Sequence, residues 1–236
     1  MAWTPFTVAA PTGADLPDDA VLYGPEIPAE PTLRLLGDLA GKRVLDLGCG
    51  AGRNAIAMAR AGARVIAVDE DADQIGAARR AIDAADMKVE LHHAPLAELA
   101  FLRADTIDAA ISVHSLVQVA DVGRVFRQIH RVLRPEHSFV VSVPHPTFAL
   151  LDPAGPDPLQ VRRSAFDEQP YAHDDPRHGT HARSVGALFT ELTRAGFRVD
   201  HVLEPAPTVS GRGPHWSPAM EKVPATLILR ARKEGI

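Results

Sequence analysis

Two spacings of apolar residues alternate along this chain from residue 43 onward. Short unbroken apolar runs such as Arg64-Val65-Ile66-Ala67-Val68 alternate with longer segments whose apolar positions recur at three- and four-residue steps. The runs predict strands near 43–47, 64–68, 87–92, 107–113 and 138–143, with two more over 197–204 and 225–230. The helical spacing predicts helices near 53–61, 71–84, 121–133 and 185–195. Strand–helix alternation of this kind predicts an α/β fold with a mostly parallel sheet covered by helices on both faces. Asp71 or Asp73 is placed to cap the second helix and Ser184 the last, with Gly196 ending it.

Outside that regular part the pattern weakens. Residues 1–28 are rich in Pro, Ala and Asp, carry Trp3, Phe6 and Tyr23, and read as a loop-like arm. A short helix is expected over 30–39, with Pro31 in its first turn. Residues 149–182 form a long Pro-rich stretch, and loops of that length inside compact domains are commonly functional or disordered. The whole chain of 236 residues is read as one domain, with arm and first helix over 1–40 and an insertion over 144–183.

The first strand runs straight into a glycine cluster, Asp46-Leu47-Gly48-Cys49-Gly50-Ala51-Gly52. Glycines at a strand-to-helix turn let the backbone approach a ligand closely, and the following helix aims its unsatisfied N–H groups there. Dinucleotide binders share that device, so the neighbours decide. The second strand ends in Asp69-Glu70, about 20 residues on, where an acid accepts hydrogen bonds from ribose hydroxyls. Asp46 beside the glycines would repel a pyrophosphate but suits an ammonium and a sulfonium.

On these residues the chain resembles the class I S-adenosylmethionine-dependent methyltransferases, over about residues 30–232. The acid-x-Gly48-x-Gly50-x-Gly52 turn, the Arg131-Val132-Leu133-x-Pro135 helix ending and the Ala195-Gly196-Phe197 junction carry the resemblance. It implies a Rossmann-like seven-stranded sheet whose last strand inserts antiparallel between the fifth and sixth. It also implies S-adenosyl-L-methionine as cofactor and a methyl acceptor with a nucleophilic atom, read as an oxygen or nitrogen of a small molecule. In this reading Gly48, Gly50 and Gly52 let the loop approach the methionine part, Asp46 binds or orients its amino group, and Cys49 and Asn54 are further cofactor-binding residues. Asp69 and Glu70 take the ribose, and Pro95 and Leu96 border the adenine, with Ala94 where relatives often carry an aspartate. Val113, His114 and Gln118 complete the pocket after the fourth strand. Tyr23, in an arm that would fold over the cofactor, either contacts the methionine part or substrate or anchors the arm to the core.

Two histidines stand at the carboxyl ends of strands, where an open parallel sheet collects its ligands. His114 is read as a general base or orienter of the nucleophile, or else as a backbone contributor to the pocket. His145, held between Pro144 and Pro146, is the second catalytic candidate. His130 and His137 are read as surface or turn residues. The His92-His93 pair and the run His173–His181 tempt a metal reading, but adjacent strand residues face opposite ways and the run has no regular ligand spacing. No metal is expected.

Composition narrows the partners. Thirty acidic against 25 basic residues give a formal charge of −5, which disfavours nucleic acid. The single Cys49 precludes intrachain disulfides and cysteine-rich zinc sites. With no lysine or arginine before Arg34 and no apolar run near the roughly 18 residues of a membrane span, a cytoplasmic protein without membrane attachment is expected. Oligomeric state is open, a homodimer being one form. Two alternatives stand beside catalysis: a non-catalytic S-adenosylmethionine-binding subunit of a partner, and an NAD(P)-linked oxidoreductase.

Overall fold

A computed structural model of the chain describes residues 19–152, 155–166, 171–172, 179–208 and 215–235. Trp3, Phe6 and residues 173–178 of the histidine-rich run lie outside them. Seven strands form the central sheet: β1 (Arg43–Leu47), β2 (Arg64–Asp69), β3 (Val89–His93), β4 (Ile107–Val113), β5 (Leu133–Pro144), β8 (Phe197–Leu203) and β9 (Thr226–Lys233). Their order is β3-β2-β1-β4-β5-β9-β8. The first five run parallel, and β9 lies antiparallel to both β5 and β8, as the family resemblance implied. The remaining two strands, β6 (Tyr171–Ala172) and β7 (Gly179–Thr180), form a two-residue antiparallel ladder within the insertion.

Helices cover both faces because both faces of the inner strands are apolar. α4 (Val122–Val132) and α5 (Val185–Arg194) pack on one side, where Phe126, Phe139, Leu188 and Leu192 are buried. Phe126 meets Phe139 edge-on at 5.9 Å between ring centres, and Phe197 extends the stack. On the other side α2 (Arg53–Arg60) and the arm bury Met58, Val44, Ile111 and Tyr23. α3 (Ala72–Ala84) closes the β2–β3 end. Asp71 caps α3 by accepting from Asp73 N and Gln74 N, and Ser184 Oγ accepts from Ala187 N at the start of α5. His130 departs from its surface reading: its ring packs edge-on against Phe197 at 5.1 Å.

Three local departures have identifiable causes. The strand expected at 87–92 begins two residues later, at Val89. β5 starts at Leu133, directly after α4. The register jumps there from Ile107↔Leu133 to Ala109↔Ser138, so the residues between α4 and the strand expected at 138 form a bulge of β5, with Glu136 at φ 66°. The helix expected over 30–39 stops at α1 (Glu30–Leu33), because Arg34 adopts φ 51°. Glu30 then substitutes for the missing helical acceptors. Its Oε1 accepts from Leu36 N and Gly37 N at 2.8 and 2.9 Å, and its Oε2 from Leu35 N at 2.9 Å and the Tyr23 hydroxyl at 2.6 Å.

That carboxylate ties the arm to the sheet. Tyr23 is fully buried, and its carbonyl accepts from the Ser142 hydroxyl of β5. Gly24 sits so close to Thr226 of β9 that no side chain would fit. Replacing Glu30 by Ala strands four donors at once, so we expect a loss of about 2–4 kcal/mol in unfolding free energy. Urea denaturation of Glu30→Ala against wild type, followed by circular dichroism, measures it.

Candidate active site

The carboxyl ends of β1, β2 and β4 and the start of α2 converge on one loop. After Leu47 the chain turns through Gly48, Gly50 and Gly52, at φ 74°, 51° and 81°. Gly48 N and Cys49 N both donate to Val68 O of β2, at 2.7 and 3.0 Å. A Cβ on Gly48 would collide with Ser115, so the glycine is required for the close approach of the β1 and β4 loops as well as for its dihedral. Ser115 completes that contact. Its Oγ donates to Leu47 O at 3.1 Å and lies 2.7 Å from Ser112 Oγ. Ser115 is not among the expected site residues; its only signal in the sequence is a small polar residue directly after His114.

Asp69 is bonded to the glycine loop. Its Oδ2 accepts from Gly50 N at 2.8 Å, and its Oδ1 from Asp71 N at 3.0 Å. The Glu70 backbone N–H faces the same carboxylate, and a carboxylate with about four acceptor positions still has room for a further donor. Asp69 O also accepts from Ala94 N at 3.0 Å, which brings Pro95 and Leu96 to the loop. The Leu96 side chain is buried 3.6 Å from where a Gly48 Cβ would stand. Pro95 and Glu70 are exposed beside it.

Asp46 lies beneath the loop, 2% exposed, and its Oδ2 has no hydrogen-bond partner. Burial, with the Asp69 charge nearby, pushes its carboxyl up to about 7. Asp69 is also raised, chiefly by burial. Cys49 is buried, its thiol pushed far up by burial and by both aspartates, which keeps it an unreactive wall of the loop. Two acids, Asp46 and Asp69, are therefore gathered at one glycine loop.

Asn54, at the start of α2, spends its amide on the arm: Nδ2 donates to Leu22 O at 2.9 Å and Oδ1 accepts from Leu22 N at 3.0 Å. Tyr23 follows directly, its hydroxyl given to Glu30, which makes it the anchor of the arm. The two residues thus bring the arm's backbone to the loop.

Past β4, Val113 is buried and His114 is partly buried at φ 56°, its N–H bonded to Ser142 O at 2.8 Å. Gln118 is exposed at the end of a short 3₁₀ turn over Leu116–Gln118. His145 stands apart from this group. Its Nδ1 accepts from Thr147 N at 3.1 Å, which leaves the proton on Nε2, 2.8 Å from Glu204 Oε1. Both ring nitrogens are engaged, and its backbone N–H bonds Ala225 O. Its place is the junction between β5, β8 and β9. Among the described residues no group of three or more His, Cys, Asp or Glu side chains converges to hold a metal, and no helix is long and apolar enough to cross a membrane.

Residues 44–136 match the family model of a methyltransferase domain. An S-adenosylmethionine-dependent methyltransferase from Mesorhizobium loti is 30% identical, with a TM-score of 0.71, over 86% of this chain and 96% of that one. The chain belongs to the S-adenosylmethionine-dependent methyltransferases. Two curated relatives match more locally. The ubiquinone biosynthesis O-methyltransferase of Aromatoleum aromaticum is 37% identical over 97 residues, 41% of this chain and 42% of that protein. The demethylmenaquinone methyltransferase of Clavibacter sepedonicus is 34% identical over 110 residues, 47% and 44%. The matched part is less than half the length of either relative.

The residues present fit the cofactor. S-adenosylmethionine is cationic at both sulfur and amine, and the methyltransferase offers a buried carboxylate, Asp46, with an oxygen awaiting a donor. Without ligand, the folded protein keeps a proton on Asp46 that the unfolded chain has released between its ordinary value of 3.8 and about 7. This term therefore lowers stability as pH rises through that window and levels off above it. Asp46→Asn should remove it, making the unliganded variant more stable than wild type above pH ~7 by on the order of 1–4 kcal/mol, with the gap closing towards pH ~4. Thermal melts across that range, without ligand, read the difference.

Proposed function

We propose that this methyltransferase transfers a methyl group to an oxygen, or in the second instance a nitrogen, of a small aromatic acceptor. His114 orients the nucleophile or takes its proton. The observation that carries the reading is the position of His114. It follows β4 at the ligand edge in a left-handed conformation, one residue before the serine that packs on Gly48. The curated relatives whose names give O-methylation in ubiquinone biosynthesis support an oxygen acceptor. His145, with both ring nitrogens engaged inside the protein, is assigned a positioning role at the β5 junction instead of base chemistry.

When bound, the cofactor supplies an activated methyl group on a good leaving group, so the chain's own task is placement. Gly48, Gly50 and Gly52 admit the methionine part, Asp46 faces its positive charge, and Asp69 accepts from the ribose with the acceptor capacity its backbone donors leave open. In-line approach of acceptor oxygen to methyl carbon, about 3 Å apart, accounts for much of the rate in such transfers. A phenolic acceptor also has to lose its proton, and a histidine near neutrality suits that step. The arm is tied beside the glycine loop through Asn54 and to α1 through Glu30. An NAD(P)-linked enzyme gains no support from this arrangement, since a buried acid beside the glycines opposes a pyrophosphate.

Calorimetric titration with S-adenosylmethionine, S-adenosylhomocysteine and NADH should show micromolar binding of the first two only. Asp69→Ala should weaken that binding by about tenfold or more. Methyl transfer to a panel of catechols and hydroxylated quinol precursors should then be lost by about 10²–10⁴-fold in kcat in His114→Gln, with cofactor affinity little changed. Full turnover in His114→Gln would refute the role given to His114. Turnover only with amine acceptors would refute the oxygen preference.

A further inference from the structure

The opposite end of the sheet carries an arrangement that methyl transfer does not use. At the amino ends of the strands, β1 and β2 pair Arg43 directly with Arg64, and β2 and β3 pair Val65 with Val89, which sets Lys88 next to Arg64. Three cations thus stand in a row across three adjacent parallel strands, about 4.8 Å from one strand to the next. Parallel strands in register point matched side chains to the same face, and like charges set opposite one another cost stability. Among the described residues none of the three side chains is paired with a carboxylate; the Arg64 guanidinium donates to Gly41 O at 2.9 Å, and Asp108 is engaged by the backbone N–H of Arg43, at 2.8 Å, and by Arg134. Arg79 of α3, which packs over the other face at Val89 and Leu91, also borders the groove and has no carboxylate partner among the described residues.

These four residues line one groove of about 710 Å³, which also takes in Val65, Ile66 and Leu91 at the amino ends of β2 and β3. Two acids share it. Glu90 is engaged by the His92 ring at 2.7 Å, and Asp83 stands on α3. Cations therefore outnumber acids four to two in a protein whose formal charge is −5. The groove's positive character is local and is not a sample of the whole surface.

We propose that this groove is a binding site for a triphosphate group, remote from the methyl-transfer site. A single small anion would neutralise one of the cations, whereas a chain of phosphates distributes charge over about the 10 Å that three neighbouring strands span. The guanidinium groups of Arg43 and Arg64 match phosphate oxygens in planar, paired fashion, and Lys88 acts as a point charge at the edge of the row. The cofactor loop lies at the other ends of the same strands, so both sites can be filled together.

Two probes separate the sources of such a group: sodium tripolyphosphate and ATP, titrated calorimetrically without magnesium. Both should bind in the tens of micromolar range at low salt, and weaken by about tenfold between about 50 and about 200 mM salt. Arg64→Glu with Lys88→Glu should weaken both by about tenfold or more, and Lys88→Gln alone by about threefold. S-adenosylhomocysteine affinity should match wild type in every variant, which reports an intact fold. Tighter binding of ATP than of tripolyphosphate, undisturbed by S-adenosylhomocysteine, would support the site with a nucleotide as its ligand; equal binding would support it with the phosphates alone. The proposal fails if neither probe binds at low salt, if the charge reversals leave affinity unchanged, or if S-adenosylhomocysteine displaces the ATP.

Discussion

A carboxylate with no counter-charge is the constraint on which this structure turns. Asp46 is pressed beneath the glycine loop with one oxygen unsatisfied, and its neighbour Asp69 is an acid too. Folding alone gains nothing from that arrangement, because a buried unpaired acid costs free energy unless it holds its proton. The surroundings accept the cost and fix the geometry. β1 and β4 are drawn together through the Gly48–Ser115 contact, Asp69 is held by Gly50 and Asp71, and Leu96 closes the apolar side. A cationic ligand reverses the account: it favours the ionised form, and the same burial that raised the carboxyl strengthens the attraction.

The elements legible from the residues are those whose cause is local. Asp71 and Ser184 announce their caps within three positions, the apolar runs announce β1, β2 and β4, and glycines spaced by two announce the loop. The order of the last strands was reached through resemblance, since nothing in Ala225–Arg230 itself says that the run inserts between two others. What remained hidden depends on partners far away in sequence. Glu30 takes up the donors left free where its helix stops at Arg34, accepting from residues five to seven positions on, and meets Tyr23 across the arm. His145 looked available for chemistry because its partner, Glu204, lies 59 residues away on another strand. Asn54 sat at a cofactor-facing position by motif, yet its amide closes on Leu22, 32 residues earlier. The cation row was invisible for the same reason: Arg43, Arg64 and Lys88 become neighbours only through strand register.

Long-range ties of this kind also hold the site's surroundings in place. At the carboxyl ends, loops and arm are fastened by side chains that satisfy backbone groups, through Glu30, Asn54, Ser115 and His145. Arg183 belongs to the same pattern, its guanidinium donating to the carbonyls of Leu116, Val119 and Ala120 and so joining the base of the insertion to the loop after His114. A pocket that has to exclude water benefits from such fastening, because a ligand can be held only as precisely as the loops around it.

The insertion of β9 between β5 and β8 carries a consequence for the birth of the molecule on the ribosome. Until Thr226–Lys233 has been made, the edge of β5 and the edge of β8 that will face it both lack a partner, and Phe139 and Phe197 lie in strands not yet joined. The nascent chain can assemble its cofactor loop early, since β1, β2, β3 and β4 precede residue 114. It then waits with two open strand edges, a state prone to pairing with other chains. Closure of the sheet by its last strand is therefore both the final folding step and the moment at which that exposure ends.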